Sequence, residues 1–213
     1  MLKYHPHIQH IYLGFGFHSL SSYYDEFIDG DLSGTVSEKY FFLLPIQEQL
    51  MAFWINKKQL GPFTKNVLKY GIYNLIFPKK TYLGGFENNF KNVQQDSITT
   101  CKRIQHQFYS EQTLRPFSQI NMDYLQRIQQ LCDAHQIDLT LISTPLHHSY
   151  FEHVPVVYQQ GFLNVIQQYH FSHISLQNFH SDSANYFIPD GDHVSAEGAN
   201  VLSQEIFRLI QHK

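Results

Sequence analysis

Apolar and polar residues alternate along the chain with two different periods, and these periods predict its secondary structure. Residues 10–17 form a short, apolar, aromatic-rich segment flanked by polar turns, which predicts a buried strand. From residue 117 onwards, apolar residues recur at helical spacing; residues 137–143 then alternate as in a strand, which Thr144 and Pro145 end. This helix–strand unit is typical of an α/β sheet with crossover helices.

The same criteria predict the other elements. Either Ser118 or Asn121 is expected to cap the helix that follows residue 117, and Ser195 the last helix. Gly61 and Pro62 are expected to end a helix. Residues 78–96 are the least regular and predict a surface excursion, a lid or an insertion. The further segments are helices at 46–60, 63–77, 97–110 and 156–169, a strand or buried helix start at 40–44, and a strand at 173–176.

The order of these elements predicts an α/β fold, specifically a three-layer sandwich with a mainly parallel sheet flanked by helices. Ligand chemistry is then expected at the carboxyl ends of the strands. The 213 residues fit one domain and contain no internal repeat or low-complexity linker. Residues 46–110 are expected to form a helical and irregular insertion within that domain.

Charge and composition exclude several classes of protein. The net charge is −3 and no Lys/Arg-rich run occurs, so a nucleic-acid partner is not expected. No apolar run approaches the ~20 residues that span a bilayer, and no signal peptide is recognisable, so the sequence taken literally predicts a cytoplasmic protein. Cys101 and Cys132 are expected to be reduced, half-buried thiols.

The chain contains 14 histidines, which raises the question of a metal site. Catalytic zinc sites need three ligands with a supporting shell, and neither H-E-x-x-H nor C-x-x-C occurs. We therefore expect surface or structural roles for most histidines, and neither a metal nor a cofactor. The clusters concerned are His5, His7 and His10, and His147, His148 and His153.

Asp190 and His193 stand three residues apart, immediately before the predicted last helix. An Asp-x-x-His turn can aim both side chains at one edge of a sheet. The carboxylate then holds one imidazole nitrogen and leaves the other to act as a base. The following Ser195 and the Gly198-Ala199 pair make this pattern more specific than a lone D-x-x-H.

The segments YLQRIQQLCDAHQIDLTLISTPLHHSYF and NYFIPDGDHVSAEGANVLSQEI resemble the C-terminal part of SGNH/GDSL-like hydrolases. The resemblance covers about residues 117–210 and is most similar to the DltD-like branch and to acetyltransferases of bacterial surface polymers. It implies an SGNH or flavodoxin-like three-layer fold. It also implies a bacterial cell-envelope context, with an acylated small molecule or polysaccharide as substrate and no cofactor.

Carried over to this chain, the resemblance makes His193 the general base and Asp190 its orienting partner. Asp192 matches no family role and is expected to face solvent. The family's serine nucleophile follows the first strand, but no G-D-S or G-S-S occurs here. Either Ser19 takes its place on an altered turn, or the strand 10–17 corresponds to a later family strand and the chain is a truncated or degenerate member.

Two further pairs of residues are candidates for substrate contact. Backbone N–H groups at Gly14 and Gly16 could form an oxyanion hole, because glycine permits close approach of an anion; alternatively, these glycines only relieve crowding. His147 and His148 follow Thr144-Pro145 and are therefore expected to line the cleft.

Three functions remain open from the sequence. The first is an esterase or O-acyltransferase in which a serine attacks the ester and His193 transfers the proton. The second is a catalytically incomplete domain that keeps the shape but binds a glycan or a protein. The third is a histidine-based metal-binding protein.

Overall fold

The computed structural model describes residues 7–25, 41, 46–76 and 95–211. The chain divides into two compact units: a larger unit that combines Met1–Tyr23 with Asn88–Lys213, and a smaller unit, Tyr24–Glu87. The helix that begins at Ser97, which the sequence analysis included in the insertion 46–110, belongs to the larger unit.

The strands of the larger unit form a parallel sheet and a small hairpin. The central strand of the sheet, Asp138–Ser143, lies between His10–Gly14 and Ser172–Ser175. His10 stands opposite Asp138, and Thr140 opposite Ser172. Parallel pairing brings the carboxyl ends of all three strands to one edge. In the described residues the strands are β1 (His10–Gly14), β2 (Tyr109–Ser110), β3 (Thr113–Leu114), β4 (Asp138–Ser143) and β5 (Ser172–Ser175).

Helices flank this sheet, so the predicted α/β class with a parallel sheet is confirmed. The Ser118 hydroxyl accepts the Asn121 N–H at 2.9 Å, and the Ser195 hydroxyl accepts the Gly198 N–H at 3.1 Å. Ser118, not Asn121, is therefore the first cap. The helices described are α1 (Ile46–Ile55), α2 (Leu60–Ile76), α3 (Ser97–Phe108), α4 (Gln119–Ala134), α5 (His148–Phe151), α6 (Val156–Gln168) and α7 (Ala196–Gln211).

The prediction that Gly61 and Pro62 end a helix is wrong. Helix α1 ends at Ile55, a 3₁₀ turn covers Asn56–Gln59, and α2 begins at Leu60. Pro62 therefore lies in the first turn of α2, where backbone N–H groups have no intrahelical acceptor and a missing N–H costs nothing. The segments 40–44, except Phe41, and 78–94 lie outside the described residues.

The core of the larger unit joins the sheet to α3, α4 and α6. Leu141 in the central strand and Phe108 in α3 are completely buried. Burying such side chains contributes roughly 1.5–3 kcal/mol each. The buried cluster comprises Phe15, Phe17, Leu20, Ile104, Phe108, Leu125, Leu141, Leu146, Tyr150, Val154, Tyr158, Phe162 and Phe171.

The smaller unit has its own apolar cluster, formed by Phe41, Ala52, Phe63 and Val67. Both cysteines are free, but only Cys132 is buried and Cys101 is exposed. In the described part of the chain, no helix combines the length and the apolar character that crossing a bilayer requires.

Candidate acid–base site

The loop that carries Asp190 and His193 is held in a defined shape by backbone hydrogen bonds. The Ile188 N–H donates to the His193 carbonyl at 3.1 Å, and the Gly191 N–H donates to the Ile188 carbonyl at 3.1 Å. Gly191 has φ +77°, and a Cβ there would lie 3.1 Å from Tyr150 Cβ, so this turn requires glycine.

The same loop is anchored beside the carboxyl end of the sheet. The Gly191 carbonyl accepts the N–H of His147 at 2.9 Å, and His147 lies four residues after β4. The site is thus where an α/β sheet places its ligand chemistry.

The structure brings Asp190 and His193 together as the sequence pattern predicts. Nδ1 of His193 lies 2.7 Å from Asp190 Oδ2. Because an ionised carboxylate can only accept, Nδ1 carries the proton and donates it. The His193 side chain is 56% exposed, and Nε2 has no hydrogen-bond partner among the described residues. The ring is therefore oriented on one side and open on the other.

Asp192 does not face solvent, so that expectation is wrong. Its side chain is 1% exposed, and its Oδ1 lies 3.0 Å from Nδ1 of His193. Nε of Arg103 donates to its two oxygens at 3.2 and 3.0 Å, and Nε2 of Gln107 donates to Oδ2 at 2.8 Å. A carboxylate can be buried here because a cation and an amide from α3 satisfy it.

A buried chain of polar groups continues behind Asp192. Gln107 is completely buried, and its Oε1 accepts a hydrogen bond from the Tyr150 hydroxyl. Its backbone carbonyl accepts the Ser21 hydroxyl at 2.5 Å. Arg103 and Gln107 stand four apart on α3 and so share one face of that helix. The orientation of His193 therefore depends on residues distant in sequence.

These contacts move the proton affinities of the two central groups in opposite directions. The hydrogen bond to Asp190, followed by that to Asp192, raises the pKa of His193 to about 10 against the opposing effect of burial. Burial by itself would raise the pKa of Asp192. The pKa is nevertheless lowered, because His193 supplies a hydrogen bond and a positive charge, Arg103 a further positive charge and Gln107 a further hydrogen bond. At neutral pH, His193 is a cation beside two carboxylates.

A second imidazole belongs to this site. His18 lies in the 3₁₀ turn Phe17–Leu20 after β1, and it interacts electrostatically with Asp192, Arg103 and His193. Burial lowers the pKa of His18, Asp192 raises it, and Arg103 and His193 lower it further. Burial and the nearby cations thus favour the neutral form of the His18 ring.

Ser19 stands on the same turn, but its hydroxyl is engaged locally. The Gly16 N–H donates to Ser19 Oγ at 3.1 Å. Among the described residues, no serine hydroxyl hydrogen-bonds with His193. Gly14 lies at the end of β1, where a Cβ would meet nothing within 4 Å. The Gly16 N–H, a candidate oxyanion donor, is occupied by Ser19.

The two histidines after β4 differ in their surroundings. His147 is buried; its Nδ1 lies 2.8 Å from Ser149 Oγ, and its ring packs edge-on against Phe187. Burial, with His148 nearby, lowers the pKa of His147. His148 is exposed, and its Nδ1 lies 3.2 Å from Asp182. Only His148 has the exposure that direct contact with a substrate requires.

Asp190, Asp192 and His193 place potential metal-ligand atoms within 4.8 Å of one another. A hydrogen bond and two ion pairs account for this closeness, because Nδ1 of His193 donates to Asp190 and lies 3.0 Å from Asp192 Oδ1, and Nε of Arg103 pairs with Asp192. A cation there would have to displace that proton and compete with Arg103. We therefore describe these residues as a hydrogen-bonded network.

Sequence reasoning missed His18, Arg103, Gln107 and Asp192. The position of His18 directly after a predicted strand was an available signal, because strand ends carry ligand chemistry in α/β folds. The Arg-x-x-x-Gln spacing in a predicted helix was another, since it places two polar side chains on one helical face.

Comparisons with known proteins add no family to this description: no family model matches the chain, and neither curated proteins nor solved structures include a significant match.

Proposed function

We propose that the Asp190–His193 pair carries out proton transfer in an acyl-transfer reaction, as an SGNH-like esterase or O-acyltransferase acting on an acylated carbohydrate or surface polymer. The observation that carries this proposal is the 2.7 Å contact between Asp190 Oδ2 and Nδ1 of a ring whose other nitrogen is open. A carboxylate on one nitrogen fixes the tautomer that presents the other nitrogen to a reacting hydroxyl.

The proposed reaction uses that geometry. A hydroxyl oxygen attacks the ester carbonyl carbon, and Nε2 of His193 accepts the hydroxyl proton. The tetrahedral intermediate then collapses, the ester C–O bond breaks, and His193 returns the proton to the leaving alkoxide. Asp190 stabilises the imidazolium between these steps. If Ser19 supplies the hydroxyl, its side chain must first leave the Gly16 N–H. A water or an acceptor hydroxyl then attacks the acyl-Ser19 ester, His193 takes its proton, and the proton returns to the Ser19 oxygen as the acyl group leaves.

A second candidate is a catalytically incomplete domain that binds a glycan or a protein. Two observations favour it. No described serine hydroxyl contacts His193, and the pKa of about 10 leaves the imidazole protonated, and so unable to act as a base, at neutral pH. A cationic imidazolium at an open edge suits binding of a polar ligand.

Hydrolysis of an O-acetylated oligosaccharide by wild type and His193→Gln distinguishes the two candidates. For the enzyme, we expect the variant to lose about 100-fold or more in kcat/KM, the usual effect of removing an acid–base group. His135→Gln, at an exposed position after α4, is the matched control and should retain full activity. Equal turnover by wild type and His193→Gln would refute a role for His193 in proton transfer.

Covalent labelling with a fluorophosphonate probe tests the nucleophile separately. Labelling of the wild type that Ser19→Ala abolishes would identify Ser19. Turnover without labelling would indicate an activated water. If the protein shows neither turnover nor labelling, the enzymatic function is refuted and the glycan- or protein-binding function remains.

A further inference from the structure

Nδ1 of His193 contacts two carboxylates, which is one more than a Ser-His-Asp arrangement uses. Asp190 Oδ2 lies at 2.7 Å and Asp192 Oδ1 at 3.0 Å. Asp190 also has a local task, because its Oδ1 accepts the N–H groups of Asp192 at 3.3 Å and of His193 at 3.2 Å. Asp190 therefore builds the turn as well as contacting the ring.

Asp192 is held from outside the turn. Both of its oxygens accept from Nε of Arg103, and Oδ2 also accepts from Gln107. Gln107 is fixed in turn by the hydroxyl of the buried Tyr150. The Asp192 carboxylate is thus the most firmly held group in contact with His193, whereas Asp190 belongs to the loop that carries the ring.

We propose that Asp192 is a positioning residue that fixes the His193 ring through Nδ1 and relays to it the rigidity of the Arg103–Gln107 face of α3. This inference rests on the proposed acid–base role of His193. Asp190 keeps its 2.7 Å contact with Nδ1 and also forms the turn, so the ring is held by both carboxylates. The positioning role of Asp192 explains why a carboxylate is kept in a buried position, where an unpaired charge would be costly.

The charges around the ring determine the sign of the expected effects. Asp190 and Asp192 on its own loop both favour the imidazolium, and burial lowers the pKa of His18 after β1. Arg103 on α3, which pairs with Asp192, carries a charge of the same sign as the imidazolium. Replacing Asp192 by Asn removes one favourable charge and leaves the positive charge of Arg103 no longer offset by that carboxylate. Both changes lower the pKa of His193.

The test is a nitrogen-detected NMR titration of the His193 ring in wild type, Asp192→Asn and Asp190→Asn. In Asp192→Asn we expect the His193 pKa to fall by about one unit or more, the usual effect of losing an adjacent opposite charge. We also expect the neutral ring to show a weaker preference for the Nδ1–H tautomer, because only the Asp190 carboxylate then remains beside Nδ1. Asp123→Asn, at an exposed position in α4, is the control and should titrate as wild type does.

Because Asp192→Asn removes the buried carboxylate that pairs with Arg103 and could unfold the protein, the double variant Asp192→Asn/Arg103→Gln provides a neutral replacement for the buried pair. It should show the same weakening of the preference for the Nδ1–H tautomer. A His193 titration and tautomer unchanged in every folded Asp192 variant would overturn the proposal. The proposal would also be overturned if the His193 pKa and tautomer changed in Asp190→Asn but not in Asp192→Asn.

The pH dependence of hydrolysis gives a second readout. If His193 is the base, kcat/KM rises with pH towards the His193 pKa, and Asp192→Asn should move that rise to lower pH. A rise at the same pH in both proteins would contradict the proposal. If the wild type has no turnover, the proposed function fails, whereas the NMR titration still decides whether Asp192 orients the ring.

Discussion

Replacing Arg103 by methionine is expected to lower the free energy of unfolding by about 3 kcal/mol or more at pH 7, the usual cost of removing one partner of a buried ion pair. Asp192 would keep only the Gln107 amide and His193 as partners for a carboxylate that is 1% exposed. Methionine retains much of the aliphatic volume of arginine, so the loss reports mainly on the charge. Chemical denaturation at several pH values measures it.

The sign of the pH dependence identifies the cause. The pKa of Asp192 is lowered in the fold, so its stabilising contribution is present above its unfolded pKa and is lost as pH falls through the folded value. In Arg103→Met the folded pKa rises, so Asp192 becomes protonated at a higher pH than in wild type. The deficit should therefore shrink as the pH falls below about 4.

Arg208→Ala provides the matched control. Arg208 forms an exposed pair with Glu205 at 2.6 Å on α7, and exposed pairs contribute little to stability because water and salt screen them. A loss in Arg103→Met no greater than that in Arg208→Ala would show that the Arg103–Asp192 pair does not stabilise the site.

Gly198→Ala is expected to destabilise the protein by about 3 kcal/mol, at the upper end of the usual cost of overpacking. A Cβ at Gly198 would lie 2.2 Å from the Tyr186 carbonyl oxygen and 2.9 Å from its carbon, and this backbone cannot swing aside. The same carbonyl accepts the Ser195 N–H at 2.8 Å. The substitution should therefore also loosen the cap of α7. Calorimetry should show a fall in Tm of roughly 6–12 °C.

Gly161→Ala is the control for that experiment. It makes the same substitution within α6, where the nearest atom to the new Cβ would be Phe117 Cζ at 2.5 Å. That atom is the end of a ring that is 45% exposed and can turn away. The gain in helix propensity, up to about 1 kcal/mol, offsets part of the cost. Comparable losses in both variants would contradict the clash at Tyr186.

Local sequence was sufficient to predict the features that depend on neighbouring residues. The helical period after residue 117 is present, and Ser118, one of the two candidates, caps that helix. The contact between Asp190 and His193 is present as well. In each case the interacting groups lie within a few residues of one another. The α/β class also followed from such patterns, because each strand and helix carries its own period.

Features that depend on distant residues could not be predicted in the same way. Asp192 stands in a polar D-G-D-H turn that by itself indicates solvent exposure, and it is buried only because α3 packs against the turn. Likewise, His18 joins the site because β1 pairs with β4, a register that no local pattern specifies. The wrong prediction at Gly61 and Pro62 had another cause: proline is compatible with a first helical turn as well as with a helix end.

The hydrogen bonds between Arg103 and Asp192 join residues that are 89 positions apart in the chain. During synthesis, α3 leaves the ribosome long before the turn that carries His193. Arg103 and Gln107 can therefore contact Asp192 only after that turn has been synthesised. Closing so long a loop is an entropic cost that only the assembled core offsets. The arrangement of Asp190, Asp192 and His193 should therefore form only when the core is complete, and the His193 titration would report that the native state has formed.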